Sequence, residues 1–332
     1  MTTPRYRTTL LRAGRFLLDG GGMFGVVPRV VWERTVAPDD RHRIELAHNC
    51  LYLESVDPDP SLGRPRRVII ETGTGDKLEA KMAEIFGLEG ITIHSALEAI
   101  NVDPASIDDV VITHLHFDHA GGLTRRCQAG EAPDWTAPTP RDSSGDAAEV
   151  KLTFPSARIH VQQREWIDAL ANDAVMTRTY YRDHLEPIRE RVVLHDSPRP
   201  FPVYSGGGKP HRSEFPKTPI EHRLTEVLPG IRVFLAPGHT WGQQAVLFDD
   251  ADGSPTVFVP DVMPTAHHIG QAYALSYDVE PYTSMVTKGW LLADAARLGW
   301  TLCLDHDPGE PFFRVEPTSK GWFALVAADR PT

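Results

Sequence analysis

The chain has 332 residues, 41% of them hydrophobic and 24% charged, enough apolar content for a substantial buried core in one large domain or two average ones. Its formal net charge is −11 and no Lys/Arg-rich cluster stands out, which excludes the cationic surface that nucleic-acid binding requires. Nowhere do ~18 apolar residues run together as a membrane-spanning helix needs, and the N-terminal MTTPRYRTTLLRAGRFLLDGGG lacks the apolar stretch of a signal peptide. Cys50, Cys127 and Cys303 form no CxxC pair or disulfide framework, so reduced thiols and a cytoplasmic location are expected. Cys303, inside Thr301-Leu302-Cys303-Leu304, reads as a small buried hydrophobe.

In chain order, residues 43–56 and 67–70 read as strands, the second running into the turn Glu71-Thr72-Gly73-Thr74-Gly75. Residues 76–86 have helical character, with Leu78, Met82 and Ile85 on one face and Asp76 as a candidate cap. A helix over 95–100 and a strand over 109–113 follow. The stretches 125–150 and 197–219 are rich in Pro, Gly and polar residues and read as surface loops of the kind that shape binding sites. Between them, 163–171 and 184–191 look helical. Short apolar strands recur at 231–235, 245–248, 257–259 and 301–304. The clearest helix is 284–298, with Trp290, Leu291, Ala295 and Leu298 on its apolar face. Strands alternating with helices indicate an α/β layered protein, read here as one domain over 1–332.

The chemistry concentrates in Thr113-His114-Leu115-His116-Phe117-Asp118-His119-Ala120-Gly121-Gly122, directly after the apolar run Val110-Val111-Ile112. In an extended segment, residues two apart point the same way, so His114 and His116 can converge on one ion. Asp118 and His119 come where the chain leaves the strand, and Gly121-Gly122 allows a tight bend. Such N/O donors suit zinc, with iron, manganese or cobalt admissible. His239, Asp261 and His306 each follow an apolar strand by a few residues, where α/β folds gather ligands.

This ordered set (HxHxDH, then the histidine of Gly-His239-Thr, an aspartate after a strand and a final histidine) resembles the metallo-β-lactamase superfamily over Val110 to His306. The resemblance implies a four-layer αβ/βα sandwich with a dinuclear site at one edge of two sheets. By position it puts His114, His116 and His239 on a first ion and Asp118, His119 and His306 on a second, with Asp261 bridging. A pair of ions ~3.5–4 Å apart lowers the pKa of a shared water, and Asp118 would orient the nucleophile and pass a proton to the leaving group. A homodimer is admissible on the same resemblance.

Within the superfamily, His116 stands where flavodiiron-type members carry Glu. The seven-ligand set exceeds that of a persulfide dioxygenase, and low basic charge argues against a ribonuclease. Arg314 and Lys320 are too few for the basic patch of a glyoxalase II-like thiolester hydrolase. The segments around His114 and His239 resemble the lactonase and organophosphate-hydrolase branch. Those lactonases typically place a tyrosine three residues after the bridging Asp, and Pro264 holds that position here. The expected substrate is therefore a small lactone, carboxylic ester or phosphotriester. His267 is a candidate catalytic hydrogen-bond donor in place of that tyrosine. Met23, Phe24, Phe117 and His268 are candidate pocket residues, the first two on the glycine-rich Gly20–Gly25 segment. A non-hydrolytic metal-binding sensor is the reading from another class; ligand loss would be its signature, and none is lost.

Overall fold

The computed structural model describes residues 3–137, 149–175, 179–200 and 218–329. The strands are β1 (Tyr6–Asp19), β2 (Arg43–Ser55), β3 (Arg67–Ile70), β4 (Asp109–Val111), β5 (Thr124–Arg126), β6 (Trp135–Thr136), β7 (Glu149–Leu152), β8 (Arg158–Gln162), β9 (Val192–His195), β10 (Thr225–Leu228), β11 (Ile231–Leu235), β12 (Gln244–Asp249), β13 (Pro255–Val259), β14 (Thr301–Leu304), β15 (Phe312–Pro317) and β16 (Phe323–Ala327). The α-helices are α1 (Gly20–Phe24), α2 (Arg29–Trp32), α3 (Ala80–Phe86), α4 (Ile93–Ala99), α5 (Phe117–Ala120), α6 (Gln163–Ala171), α7 (Arg182–Leu185) and α8 (Pro281–Leu298).

Two sheets face each other, one ordered β1-β2-β3-β4-β8-β9 and the other β10-β11-β12-β13-β14-β15-β16. The period-2 alternation of side chains sorts the apolar residues into layers. Val68, Ile70 and Val111 point inward to meet Val246, Phe258 and Cys303 between the sheets. Their chain neighbours Ile69 and Val110 point outward onto α4, α6 and α7. On the far side, Leu247, Val257 and Leu302 pack against Trp290, Leu291 and Ala295 of α8. Helices, sheet, sheet and helix make the four-layer αβ/βα sandwich expected from the sequence, and Cys303 is the buried small hydrophobe of the inter-sheet core.

Strand direction positions the site. β3, β4 and β8 are mutually parallel, so all end at one edge. In the second sheet β13 and β14 are parallel, and β11 shares their direction through two antiparallel steps. The two sheets join at that edge by main-chain bonds: Gln244 N donates to Thr113 O (2.9 Å), Asn49 N to Asp305 O (2.9 Å) and Ala47 N to His306 O (3.1 Å).

The structure departs from the sequence reading in several places. β1 was not expected. It borders the sheet and bulges between Arg12 and Arg15, so its arginines interrupt the alternation that would have marked it. The helix expected from Asp76 starts at Ala80 with Glu79 as N-cap. The helical reading of 184–191 resolves into α7 and a separate 3₁₀ turn over Arg189–Arg191. The 125–150 stretch is not wholly irregular, because its ends build a small sheet ordered β5-β7-β6. Residues 138–148 of that loop, and 201–217 of the loop expected over 197–219, lie outside the described residues.

A second link between the sheets is Asp250, which accepts hydrogen bonds from Thr8 Oγ1 of β1 (2.6 Å) and from Thr256 Oγ1 of β13. Burial raises its carboxyl to about 6 against the opposing pull of those two hydroxyls. Because the folded-state pKa lies above the unfolded one, the folded state holds this proton more tightly. The associated stability is present below about pH 4 and is lost as pH rises through 6. Asp250→Asn should therefore melt several degrees above the parent at pH 8 and converge with it near pH 4 in paired thermal melts; an equal offset at both pH values would contradict this.

Candidate metal centre

The edge where the strands end collects two groups of ligand atoms. His114, His116 and His239 form one; His119, Asp261, Asp305 and His306 form the other, and within each group the donor atoms lie within 4.8 Å of one another. All are buried. His114 and His116 sit in the extended segment beyond β4, and α5 turns Asp118 and His119 inward. His239 follows β11, Asp261 follows β13 and His306 follows β14. Asp261 lies between the groups. Its Oδ2 is 3.1 Å from His239 Nε2, 3.4 Å from His119 Nε2 and 3.7 Å from His114 Nε2, while its Oδ1 is 3.4 Å from His306 Nε2. Asp118 Oδ2 lies 3.7 Å from His306 Nε2 and 3.9 Å from His119 Nε2.

The imidazoles are oriented from behind, as metal-ligating histidines require. His239 Nδ1 pairs with Asp278 Oδ1 (2.8 Å), His119 Nδ1 with Glu71 Oε2 (3.0 Å) and His306 Nδ1 with the Ala47 carbonyl (2.9 Å). Their Nε2 atoms then face each other or a neighbour across short gaps: His306 to His119 at 3.2 Å, and His239 to His116 Nδ1 at 2.9 Å. Nitrogens so placed repel unless positive charge, a proton or a metal ion, lies between them. Burial and the neighbouring imidazoles hold His114 and His116 well below the ordinary histidine range, so both offer neutral lone pairs. At His239 the Asp261 and Asp278 carboxylates overcome burial and raise the pKa to about 10, so this corner of the cluster attracts cations. His114 Nε2, Asp261 Oδ1 and both oxygens of Asp305 are buried without a hydrogen-bond partner among the described residues. Leaving so many polar atoms bare is costly, and the donor set fits divalent metal ions.

Backbone geometry supports this arrangement. Glu71 ends β3 with φ 67°, a left-handed conformation that costs a non-glycine residue about 1–3 kcal/mol. The twist lets its carboxylate accept from Thr113 N (2.6 Å) while holding His119. Two hydrogen bonds to a buried charged group, roughly 1.5–3 kcal/mol each, outweigh that strain. Gly121 and Gly122 are required by close approach rather than by a special φ. A Cβ on either would lie 2.1 Å from the carbonyl oxygen of Thr74 or Thr72 respectively. Lys77, fully buried and pushed down to about 8 by burial, donates to the carbonyls of Gly121 and Thr124 (2.6 Å for the latter) and secures the same turn.

A cavity of about 260 Å³ opens above the ligands, with His116, Asp118, Asp261 and His306 in its floor and Met23, Met82, Phe86 and Phe117 in its walls. Of the four candidate pocket residues, Met23 and Phe117 line this cavity. Phe24 and His268 do not: Phe24 stacks on His268 at 4.7 Å behind the wall. His268 has both ring nitrogens engaged, Nδ1 with Thr265 Oγ1 (2.8 Å) and Nε2 with the Met23 carbonyl (2.9 Å). His267 also lies outside the cavity lining, because the short 3₁₀ turn Ala266–His268 carries it away. Asp305, the chain neighbour of His306, joins the second group; burial, and then the Asp261 charge, push its carboxyl well above the usual range. Sequence reasoning missed Glu71, Asp278 and Tyr277. The first two are lone acids in ordinary turns. Tyr277 comes 16 residues after Asp261, too far for local spacing to suggest, yet lines the cavity with a hydroxyl that makes no hydrogen bond among the described residues.

Asp261→Ala and His116→Ala should each lower bound metal measured by elemental analysis, and Asp278→Asn should weaken zinc affinity by roughly 10–100-fold. Parent-like metal content in all three would remove these residues from the site.

Comparison with known proteins gives the cluster its family. The chain superposes on a probable metal-dependent hydrolase from Staphylococcus aureus with a TM-score of 0.74, at 23% identity and covering 100% of both chains. It superposes on AbOPH, a hydrolase of the beta-lactamase superfamily, with a TM-score of 0.66 at 16% identity over 100% of this chain and 99% of that one. For AidC, a dizinc quorum-quenching lactonase solved with a product, the values are 0.65 and 15%, over 99% of each chain. At such identities the likeness speaks for the fold. No curated protein sequence matches the chain. The sequence model of the metallo-beta-lactamase superfamily matches residues 46–268, more than half of the chain and all of the candidate ligand residues except Asp305 and His306. With that match, the four-layer fold and the ligand cluster at the sheet edge, the chain belongs to the metallo-β-lactamase superfamily.

Proposed function

We propose that the protein is a dinuclear metal-dependent hydrolase that opens a lactone or carboxylic ester, with zinc as its resident metal. The observation that carries this reading is Asp261, one carboxylate facing imidazoles of both ligand groups from the floor of an apolar cavity. His114, His116 and His239 would hold one ion and His119, His306 and Asp118 the other, with Asp261 shared and Asp305 adjacent. Bound there, the ions would supply Lewis acidity and a water of near-neutral pKa.

The chain's own residues account for the rest. Met23, Leu78, Met82, Phe86 and Phe117 take up an apolar acyl or ring substituent and exclude bulk water. Asp118, 8% exposed at the cavity floor, orients the attacking water and accepts its proton. The water oxygen bonds to the acyl carbon, the bond from that carbon to the leaving oxygen breaks, and Asp118 returns the proton to that oxygen. Burial, then the carboxylates of Asp19, Asp118 and Asp261, raise Tyr277 to about 12, so its hydroxyl stays protonated and can donate to the substrate oxygen. In this role Tyr277 would take the part of the tyrosine that Pro264 displaces. An uncharged phosphotriester is the second reading, favoured by that same substitution.

A pH-indicator hydrolysis screen of zinc-loaded protein against short and long acyl lactones, an aryl ester and an aryl phosphotriester tests this. Chelator-sensitive lactone or ester turnover is expected; dominant phosphotriester cleavage would select the second reading, and no chelator-sensitive turnover on any of them would refute both. Tyr277→Phe should lower kcat by roughly tenfold or more with zinc content unchanged, whereas His267→Ala should leave the rate as it is.

A further inference from the structure

Glu165 is fully buried at the first turn of α6, and no Lys or Arg pairs with it among the described residues. Its Oε1 accepts from Leu115 N (2.9 Å) and from the Tyr180 hydroxyl (3.2 Å), and its Oε2 accepts from Thr240 Oγ1 (2.6 Å). Leu115 lies between His114 and His116, and Thr240 follows His239. One carboxylate therefore bonds the two loops that carry the three-histidine group, one from each sheet. Tyr180 adds a third element: its ring lies 5.1 Å from the His116 ring, and its hydroxyl is turned away to Glu165.

A second observation points the same way. A Cβ on Gly242 would fall 2.2 Å from Glu165 N and 2.5 Å from Glu165 Cα. The loop after His239 is thus pressed against the start of α6 as closely as a backbone allows, and only glycine permits the 2.6 Å bond from Thr240. Burying an ionisable group without a cation is expensive, and three hydrogen bonds to the buried carboxylate are the return that makes it tolerable. If Glu165 served only to stabilise the fold, an apolar side chain packed at this point would do so at lower cost.

We propose that Glu165 is the positioning residue for the three-histidine group: it fixes His114 and His116 relative to His239, while the other group, built on Glu71, Asp261 and His306, stands without it. This rests on the two-metal reading above. Glu165→Gln keeps the size and an acceptor oxygen for Leu115 and Tyr180, and the Thr240 hydroxyl can rotate to accept from the new amide. Glu165→Ala removes all three bonds.

The experiment is zinc competition against a chromophoric chelator, with melting of the metal-free protein alongside. The parent is measured first. Fewer than two zinc equivalents there would defeat the two-metal reading itself, and with it this assignment. With two equivalents in the parent, Glu165→Ala should weaken one of them at least tenfold and leave the other within threefold. Glu165→Gln should recover most of the loss. Gly242→Ala, which forces the loop off α6 without touching the carboxylate, should reproduce the Glu165→Ala pattern. In His306→Ala, where the three-histidine group alone stays complete, adding Glu165→Ala should weaken the remaining zinc at least tenfold. Loss of both equivalents in step with a lowered melting temperature in Glu165→Ala, or two equivalents at parent affinity there, would overturn the proposal.

Discussion

Four imidazole nitrogens come within 3.7 Å of the Asp261 carboxylate, and they reach it from both sheets. His114 and His119 arrive from the end of β4, and His239 and His306 from the ends of β11 and β14. No single sheet could supply such a set, because parallel neighbours place their ends side by side in one layer. The cluster therefore requires the two sheets to be docked in one relative position. The inter-sheet core of Val68, Ile70, Val111, Val246, Phe258 and Cys303 sets the spacing, and the main-chain bonds of Gln244, Asn49 and Ala47 set the offset at the edge.

Around that constraint the polar groups fall into two kinds. Some turn towards the cavity, and others stand behind and hold them: Glu71 behind His119, Asp278 behind His239, and the Ala47 carbonyl behind His306. The buried cations have a related use. Lys77 collects two carbonyls at the turn after α5, and Lys288 collects those of His268 and Tyr273, steadying the segment that leads to Tyr277 and Asp278. Burial pushes Lys288 down to about 7, so it sits close to losing its charge at neutral pH. Neither lysine lies in the cavity lining.

Much of this was legible in the sequence, for identifiable reasons. The candidate ligands stood out because three histidines and an aspartate in six residues have no cheap structural explanation, and because the later candidates share one position relative to their strands. The layers could be read from apolar runs such as Val257–Val259 and Thr301–Leu304. What stayed hidden was set by tertiary distance. β1 has arginines at residues 7, 12 and 15 and bulges between the last two, so it shows neither periodicity. Glu71, Asp278 and Glu165 are single acids whose bonds to His119, His239 and Thr240 span 48, 39 and 75 residues of chain. His267 and His268 looked promising by proximity to Asp261, but a 3₁₀ turn directs one outward and the Phe24 stack buries the other.

The separation of the ligands along the chain has a thermodynamic corollary. His119 and His306 are 187 residues apart, and their nitrogens meet only when everything between them has folded. An unfolded chain offers at most the local HxHxDH fragment, a far weaker ligand than the assembled cluster. Any ion held at the sheet edge thus binds the native state almost exclusively, and by mass action adds its binding free energy to the stability of the whole molecule. The free metal concentration around the protein then acts as a thermostat on its folding, and a cell short of that metal would carry a larger unfolded fraction of the same chain.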